Sequence, residues 1–350
     1  MKNLRHTDSA HVTPSKTTPL PLRPGPLVWG SLAVAASAML VRHCSRQAEK
    51  QHPPAGTFIE VDGIRLHYVE YGEGQPLVLL HGNTTMGTDF ELSELVEHAA
   101  RTYRVIIFDR PGYGYSERPS SIVWGPLEQA HLFNRAFAAM GIDRPIVLGH
   151  SWGALVAMAL GLDFPQSVRG LVLLSGYYYP TVRPDIPMAA LPAIPGVGDL
   201  MCHSVSPLLY RSIWPLMMKR MFAPAKVPAR FKRFPAWMAF RPVQLHASAA
   251  EIALLIPATL QLKERYKTLT VPSIIMAGRE DRLVHTHVHS GRLHTELPEM
   301  DFRVIEGAGH MLHHLAPQAV LDAIHTLAEQ TPSVEPVWTV FMNRRRAQVI

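Results

Sequence analysis

The sequence predicts an α/β fold with a mostly parallel, eight-stranded sheet flanked by helices. Short apolar runs alternate with helix-like stretches along residues 57–330, and this order implies parallel strands joined by crossover helices. Several of the runs are continuous Val, Ile and Leu, as strands buried on both faces require. A chain of 350 residues is also long enough to bury a large core around such a sheet.

The eight candidate strands follow one another between residues 58 and 305. The first two, Phe58–Val61 and Leu66–Tyr71, alternate with a period of two, as an exposed antiparallel hairpin does. The other six are Leu77–Leu80, Val105–Asp109, Ile146–Leu148, Leu171–Leu174, Ser273–Met276 and Phe302–Ile305. Helix-like stretches lie at about 90–101, 126–140, 152–164 and 317–330.

The residues that follow these strands are the informative ones, because active sites of parallel sheets lie at the carboxyl ends of the strands. The third strand is followed by His81-Gly82-Asn83, and the fourth by the turn signal RPGYG at 110–114. The fifth is followed by GHSWG at 149–153 and then by a helix-like run.

Ser151, in the centre of GHSWG, occupies the strand–turn–helix setting that G-x-S-x-G requires. The flanking glycines are needed because side chains two positions to either side would collide at a tight turn that lifts the hydroxyl clear of the backbone. The backbone N–H of Trp152, at the start of the new helix, would point to where an oxyanion forms. Ser151 is therefore predicted to be a nucleophile.

A serine nucleophile needs a base, and the base needs an acid that orients it. The seventh strand ends in AGRED at 277–281, and the eighth ends in EGAGH at 306–310. Carboxylates and a histidine therefore follow neighbouring strands, in the chain order Ser, Asp, His.

With these motifs, residues 57–330 resemble the α/β-hydrolase fold superfamily and, within it, the lid-bearing serine hydrolases such as esterases and lipases. The resemblance implies that Ser151 is the nucleophile, Asp281 the acid and His310 the general base. It also implies that the N–H groups of Asn83 and Trp152 form the oxyanion hole. The stretch DRPGYGYS at 109–116 matches a structural motif of the superfamily. No cofactor is implied.

Other residues compete for some of these roles. Glu280 is next to Asp281 and is an alternative acid, and Asp185, after the sixth strand, is a weaker one. His150 is expected to pack beneath the nucleophile, and His81 to support the oxyanion loop through hydrogen bonds rather than to titrate.

Two histidine groups, at 310–314 and at 285–289, raise the question of a metal site. The first lacks a carboxylate partner of obvious register, and the second alternates as one face of a loop or helix start does. We therefore expect no metal at either group. Cys44 and Cys202 form no Cys-x-x-Cys pair, so thiolate redox or zinc chemistry is not expected.

Position 151 also distinguishes the chain from some relatives with the same fold. Haloalkane dehalogenases and epoxide hydrolases look similar along much of the chain, but their nucleophile is a carboxylate. A hydroxyl does not open a halide or epoxide in the same way, so the sequence argues against both activities.

Residues 181–270 lie between the sixth and seventh strands, where the superfamily carries a helical lid. They hold twelve basic and four acidic residues, and from Met201 to Ala250 there is no acidic residue. Lys and Arg at 211, 219, 220, 226, 230, 232, 233 and 241 are interleaved with Trp, Met and Phe. One interpretation is a lid with an apolar stripe over the active site and a solvated basic face. The other is that the basic face also rests on an anionic membrane.

The net charge of the whole chain is +6, and it comes from the ends: residues 1–50 carry +5, residues 331–350 carry +2 and the rest carries −1. Residues 1–25 are a basic tail, and 331–350, with three consecutive arginines, are another. Between Pro26 and Val41 sixteen residues carry no charge; this segment is predicted to be an uncleaved membrane anchor, or else a signal peptide cleaved near Ala36-Ser37-Ala38. Residues 42–56 are predicted to be a linker, and 57–180 with 271–330 the core domain.

The predicted function is hydrolysis of a lipophilic carboxylic ester through an acyl-enzyme on Ser151. The alternatives are serine-dependent hydrolysis of amide or carbon–carbon bonds, and a non-catalytic binding protein on the same scaffold. The basic lid would repel an ammonium group, which argues against aminopeptidase-like substrates. The nucleic-acid-binding class is excluded, because the chain has no zinc-finger spacing, RNP-like strand or basic helix with a dimerisation repeat.

Overall fold

The structure is a computed structural model, and it describes residues 25–184 and 186–330. The two predicted basic tails lie outside this part of the chain, apart from Gly25 at the end of the first. Asp185, the weaker alternative acid, also lies outside the described residues.

The described residues form one eight-stranded, mostly parallel sheet, so the predicted fold class is confirmed. Its strand order is β1-β2-β4-β3-β5-β6-β7-β8, in which β1 and β2 pair antiparallel and β2 runs antiparallel to β4. All other pairs are parallel. The strands are β1 Thr57–Val61, β2 Ile64–Tyr71, β3 Gln75–Leu80, β4 Tyr103–Phe108, β5 Ile146–His150, β6 Gly170–Leu174, β7 Ser273–Gly278 and β8 Asp301–Ile305.

Helices cover both faces of this sheet. The α-helices are α1 Pro26–Gln51, α2 Thr88–Glu91, α3 Glu94–Ala99, α4 Pro126–Ala139, α5 Trp152–Asp163, α6 Ile186–Ala190, α7 Val197–His203, α8 Val205–Phe222, α9 Ala236–Ala239, α10 Pro242–Lys263, α11 Arg292–Glu296, α12 Leu312–Leu315 and α13 Pro317–Gln330. The helix predicted at 90–101 is divided into α2 and α3, because the Ser93 hydroxyl and backbone N–H both bond to the Phe90 carbonyl.

The core lies in two layers because successive side chains of a strand point to opposite faces. In β3, Val78 and Leu80 pack with α4 and α5, whereas Leu77 and Leu79 pack with α3 and α13. Helix α5 is buried from Trp152 to Gly161. This central helix, held between the sheet and α4, fixes the position of the turn that precedes it.

Residues 181–270, which we call the insertion, contain α6 to α10 and lie between β6 and β7. The aromatic residues that alternate with basic ones in the sequence are largely buried there, and they form a third apolar cluster that also includes Tyr113 and Met311 from the core domain. Ring contacts within it join Trp214, Phe231 and Phe234. The insertion is therefore packed onto the carboxyl ends of the strands rather than extended from them.

Helix α1 extends farther than the sequence predicted, because residues 42–51 continue the helix and only 52–56 remain as a connection. These ten residues contain no Gly or Pro and several good helix formers. Val41, Ser45 and Ala48, one helical turn apart, are buried against the insertion, where α1 packs on α7, α8 and α9. The Glu49 carboxylate also pairs with Arg241 at 3.0 Å.

Two helices are long and apolar enough to cross a membrane. Pro26–Gln51 has a mean hydropathy of 1.4 and its most apolar window is 6% buried, whereas Pro242–Lys263 has 1.3 and is 44% buried. Because α10 packs inside the protein, α1 is the candidate membrane anchor or signal sequence.

Candidate active site

Ser151 lies at a sharp turn between β5 and α5, with φ of +55° and ψ of −113°. Its N–H donates to the Leu174 carbonyl at 2.8 Å, which ties the turn to the neighbouring strand. A Cβ at Gly149 would lie 2.2 Å from the Gly153 oxygen, and a Cβ at Gly153 would lie 2.1 Å from the Leu80 oxygen. Both flanking positions therefore require glycine, for the steric reason inferred from the sequence.

The loop of residues 81–83 passes directly beside this turn. A Cβ added at Gly82 would lie 3.2 Å from the Ser151 Cβ. Asn83 and Trp152 line the same cavity as Ser151. Trp152 is the first residue of α5, so its backbone N–H has no acceptor within the helix. The indole Nε1 of Trp152 is buried without a hydrogen-bond partner among the described residues.

His310 and Asp281 form a buried pair at the ends of β8 and β7. The His310 Nδ1 lies 2.7 Å from the Asp281 Oδ2. The other carboxylate oxygen accepts the N–H groups of Leu283 and Val284 at 2.8 and 2.9 Å, so the carboxylate is held from both sides. Of the two candidate acids in AGRED, it is Asp281 that contacts the histidine, while the buried Glu280 Oε2 has no hydrogen-bond partner among the described residues.

Ser151 and His310 face one cavity with a volume of about 350 Å³. The insertion supplies most of its apolar wall, through Ile213 and Met217 of α8 and Ile252 and Leu255 of α10. The insertion also supports the histidine, because the His310 N–H donates to the Met221 carbonyl at 3.0 Å. A cavity of this size and lining suits a small apolar ligand with one polar group.

His81 is fully buried beneath the loop of residues 81–83. Its Nε2 accepts the Arg110 N–H at 3.0 Å, so its Nδ1 donates to the Gly82 carbonyl at 2.8 Å. Burial, with the nearby Arg110 charge, lowers the pKa of His81 to about 4. The ring is therefore neutral near pH 7.

His150 and His313 lie behind the nucleophile, and the carboxylate that the sequence did not reveal is Asp89, from α2. The Asp89 Oδ1 lies 2.8 Å from the His314 Nε2 and 3.1 Å from the His313 Nε2. Ligand-type atoms of Asp89, His150 and His313 lie within 4.8 Å of one another. The sequence showed no carboxylate of obvious register with the histidines at 310–314, and the structure brings Asp89 to two of them. The rings of His313 and His314 bond to Asp89 directly, as in a buried hydrogen-bond network.

These buried groups predict loss of stability in acid. An unfolded histidine titrates near 6.5, but burial lowers the pKa of His81 to about 4 and also lowers the pKa values of His150 and His313. Below pH 6.5 the unfolded chain therefore binds more protons than the folded one, and stability falls as the pH drops toward 4. We expect a lower urea midpoint at about pH 4.5 than at about pH 7.5. An equal or higher midpoint in acid would contradict this.

Sequence reasoning missed two charged residues of the site, Arg110 and Glu251. They form a fully buried ion pair beneath the loop of residues 81–83, and Glu251 comes from α10 in the insertion. The one available signal was that Glu251 is the sole acidic residue between Met201 and Lys263, within the apolar run EIALLI.

Comparison with known proteins places the chain among hydrolases. Over 281 residues it is 26% identical to haloalkane dehalogenase 2 of Mycobacterium tuberculosis, covering 74% of this chain and 90% of that protein. Over 130 residues it is 35% identical to 2-hydroxymuconate semialdehyde hydrolase of Pseudomonas putida, covering 36% of this chain and 45% of that protein.

Solved structures share the fold at lower sequence identity. The epoxide hydrolase CorEH has a TM-score of 0.66 at 21% identity, covering 79% of this chain and 99% of that one. A membrane phospholipase A described as a bacterial virulence factor has a TM-score of 0.60 at 19% identity, covering 87% and 96%. The sequence profile of the alpha/beta hydrolase fold family matches residues 75–317, a range that includes every candidate site residue named above. The structure describes all of this range except residue 185. The four proteins named above are hydrolases, and the chain belongs to the α/β hydrolase fold family.

Proposed function

We propose that this protein is a serine hydrolase that cleaves a lipophilic carboxylic ester through an acyl-enzyme on Ser151. One observation carries the proposal: Ser151, at its strained turn, faces the same cavity as His310, and the far nitrogen of that imidazole lies 2.7 Å from the Asp281 carboxylate. A nucleophile, a base and an orienting acid thus come from the ends of three parallel strands.

In the proposed mechanism, the His310 Nε2 takes the proton of Ser151 as its Oγ attacks the ester carbonyl. Asp281 accepts the Nδ1–H, orients the ring and stabilises the imidazolium. The N–H groups of Asn83 and Trp152 bind the oxyanion, and each such donor lowers the barrier by about 3 kcal/mol. His310 then protonates the leaving alcohol, and later activates the water that hydrolyses the acyl-enzyme.

The lining of the cavity supports a lipophilic substrate that is uncharged or acidic. Its wall is mostly apolar, and its charged side chains include Arg183 and Arg220, both from the insertion. These cations disfavour a substrate ammonium group. The insertion is accordingly proposed to act as a lid that shapes the substrate site and excludes water.

A fluorophosphonate probe tests whether Ser151 is the nucleophile, and a substrate panel tests which kind of bond is cleaved. We expect covalent labelling at Ser151 and turnover of p-nitrophenyl esters of medium-chain acids. The panel should include matched amides and 2-hydroxymuconate semialdehyde, because the Pseudomonas putida hydrolase named for that compound is 35% identical over 130 residues. Absence of labelling on folded protein would support a non-catalytic binding protein instead.

We further propose that α1 anchors the protein in a membrane; cleavage and export after Ala38 is the alternative. Most of the exposed large apolar side chains of the described residues lie in two segments: seven are in α1 and thirteen in the insertion. Only three lie elsewhere. Such concentration is unusual for the surface of a soluble monomer. Since α1 packs on the insertion, the two apolar surfaces are neighbours.

The exposed face of the insertion is proposed to rest on an anionic bilayer. Its apolar side chains include Leu209 and Leu216 of α8, and Ile213 of the same helix is both exposed and part of the cavity wall. Six of the eight basic residues of the 201–250 stretch are exposed: Arg211, Lys219, Arg220, Lys226, Lys232 and Arg233. Arg241 is not part of this basic face, because it is buried against Glu49.

Vesicle flotation of protein lacking residues 1–41 tests this contact. We expect binding to phosphatidylglycerol vesicles at low salt, weakened by high salt, and little binding to phosphatidylcholine vesicles. Leu209→Ser with Leu216→Ser should weaken binding. The control pair Ile122→Ser with Val123→Ser, exposed on the core domain, should leave it unchanged. Protein that ignores anionic vesicles at low salt would refute the contact.

A further inference from the structure

We propose that Glu251 of α10 is a positioning residue that fixes the loop of residues 81–83, so that the insertion contributes to oxyanion stabilisation as well as to substrate choice. This inference rests on the proposed function. Its basis is a continuous, fully buried set of hydrogen bonds from Glu251, through Arg110, to the peptide that carries the Asn83 N–H.

Glu251 is the centre of this network. Its side chain is 0% exposed, and its carboxylate pairs with the guanidinium of Arg110. It also accepts hydrogen bonds from the Tyr113 hydroxyl at 2.7 Å, the Gln129 Nε2 at 3.0 Å and the Asn83 Nδ2 at 3.0 Å. Every one of these donors belongs to the core domain, so the carboxylate joins the insertion to the core.

Arg110 transmits this constraint to the loop. Its Nε donates to the His81 carbonyl at 2.7 Å, and its Nη2 donates to the Gly82 carbonyl at 3.0 Å. The Gly82 carbonyl also accepts the Nδ1–H of His81 at 2.8 Å. The guanidinium thus holds two successive carbonyl groups of the loop, and Glu251 holds the guanidinium.

The geometry of the peptide bond connects these contacts to the oxyanion hole. The Gly82 carbonyl and the Asn83 N–H belong to one planar trans peptide, in which they point in opposite directions. Holding the carbonyl on Arg110 and His81 therefore fixes the direction of the N–H on the other side of the plane. The side-chain amide of Asn83 adds a second constraint, because its Nδ2 donates to Glu251, to the Tyr113 hydroxyl at 3.0 Å and to the Ser248 carbonyl at 3.1 Å.

The two charges depend on each other. A buried guanidinium or carboxylate left without its partner is strongly destabilising. Glu251→Gln removes the negative charge and weakens the contact that holds the Arg110 guanidinium. Tyr113→Phe removes a single hydroxyl from the network and leaves both charges in place. The second variant keeps the test meaningful if the first one folds poorly.

The test compares turnover with binding of a tetrahedral adduct in the full-length protein. We expect kcat for a p-nitrophenyl ester to fall about 10- to 100-fold in Glu251→Gln and by a smaller factor in Tyr113→Phe, with KM nearly unchanged, because an oxyanion donor acts in the transition state. The inhibition constant of a matching trifluoromethyl ketone, which forms an oxyanion on the serine, should rise by the same factor as kcat falls.

Tyr266→Phe is the matched control. The Tyr266 hydroxyl is equally buried and also ties the insertion to the core, through the Tyr178 carbonyl at 2.8 Å, but it does not touch the loop of residues 81–83. It should leave kcat and the inhibition constant unchanged. If the wild-type protein turns over the ester and Glu251→Gln and Tyr113→Phe behave like Tyr266→Phe, or change KM alone, the positioning role is wrong. A wild-type protein without turnover would instead overturn the proposed function.

Discussion

Replacing Ser151 with alanine is expected to lower kcat for ester hydrolysis by about 10⁶-fold, as loss of the serine nucleophile does in subtilisin. Only the Oγ is removed, so the turn between β5 and α5 should be retained. The measurement is hydrolysis of a p-nitrophenyl ester, together with fluorophosphonate labelling.

Ser175→Ala is a close control for that variant. Like Ser151, Ser175 follows a parallel strand and has a positive φ, of +48°, but Ser175 is buried whereas Ser151 is partly exposed. Its Oγ has no hydrogen-bond partner among the described residues. Ser175→Ala should keep wild-type activity and labelling. Retention of more than about a hundredth of the activity in Ser151→Ala would show that another group is the nucleophile.

Asp281→Asn is expected to reduce kcat by about 10⁴-fold, because an amide in place of the carboxylate favours the wrong tautomer of His310 and no longer stabilises its charged form. The fold should survive, since an asparagine carbonyl can still accept the N–H groups of Leu283 and Val284. Thermal unfolding of the variant measures this directly.

Glu280→Gln separates the two candidate acids. Glu280 is the neighbouring carboxylate, but the histidine bonds to Asp281. We expect Glu280→Gln to retain activity within a few-fold of wild type. A larger loss in Glu280→Gln than in Asp281→Asn would transfer the acid role to Glu280.

The sheet and the strand ends were predictable because their signals are local. The eight runs of apolar residues match the eight strands. The glycines of GHSWG predict a tight turn, and in the structure a Cβ at Gly149 or Gly153 would overlap a backbone oxygen. The chemistry-bearing residues then follow from one topological rule, since the carboxyl ends of parallel strands meet at one edge.

Long-range partnerships were not predictable. Glu251 is 141 residues from Arg110, and Asp89 is 224 residues from His313, so no spacing in the sequence relates them. The end of α1 was missed for a related reason: the composition of residues 42–51 suits a helix, but the packing on the insertion that supports this helix is not visible in the sequence. The Glu251–Arg110 and Asp89–His313 contacts depend on tertiary packing, which local sequence patterns do not encode.

The unbroken helix α1 has a mechanical consequence. At about 1.5 Å per residue, the ten residues that follow the apolar segment reach only about 15 Å. Because α1 is held against the insertion by Val41, Ser45, Ala48 and the Glu49–Arg241 pair, it would act as a short stalk rather than a flexible tether if it anchors the protein as proposed. An enzyme mounted in this way would search a two-dimensional layer of substrate, so its rate would follow the mole fraction of substrate in the bilayer rather than its bulk concentration.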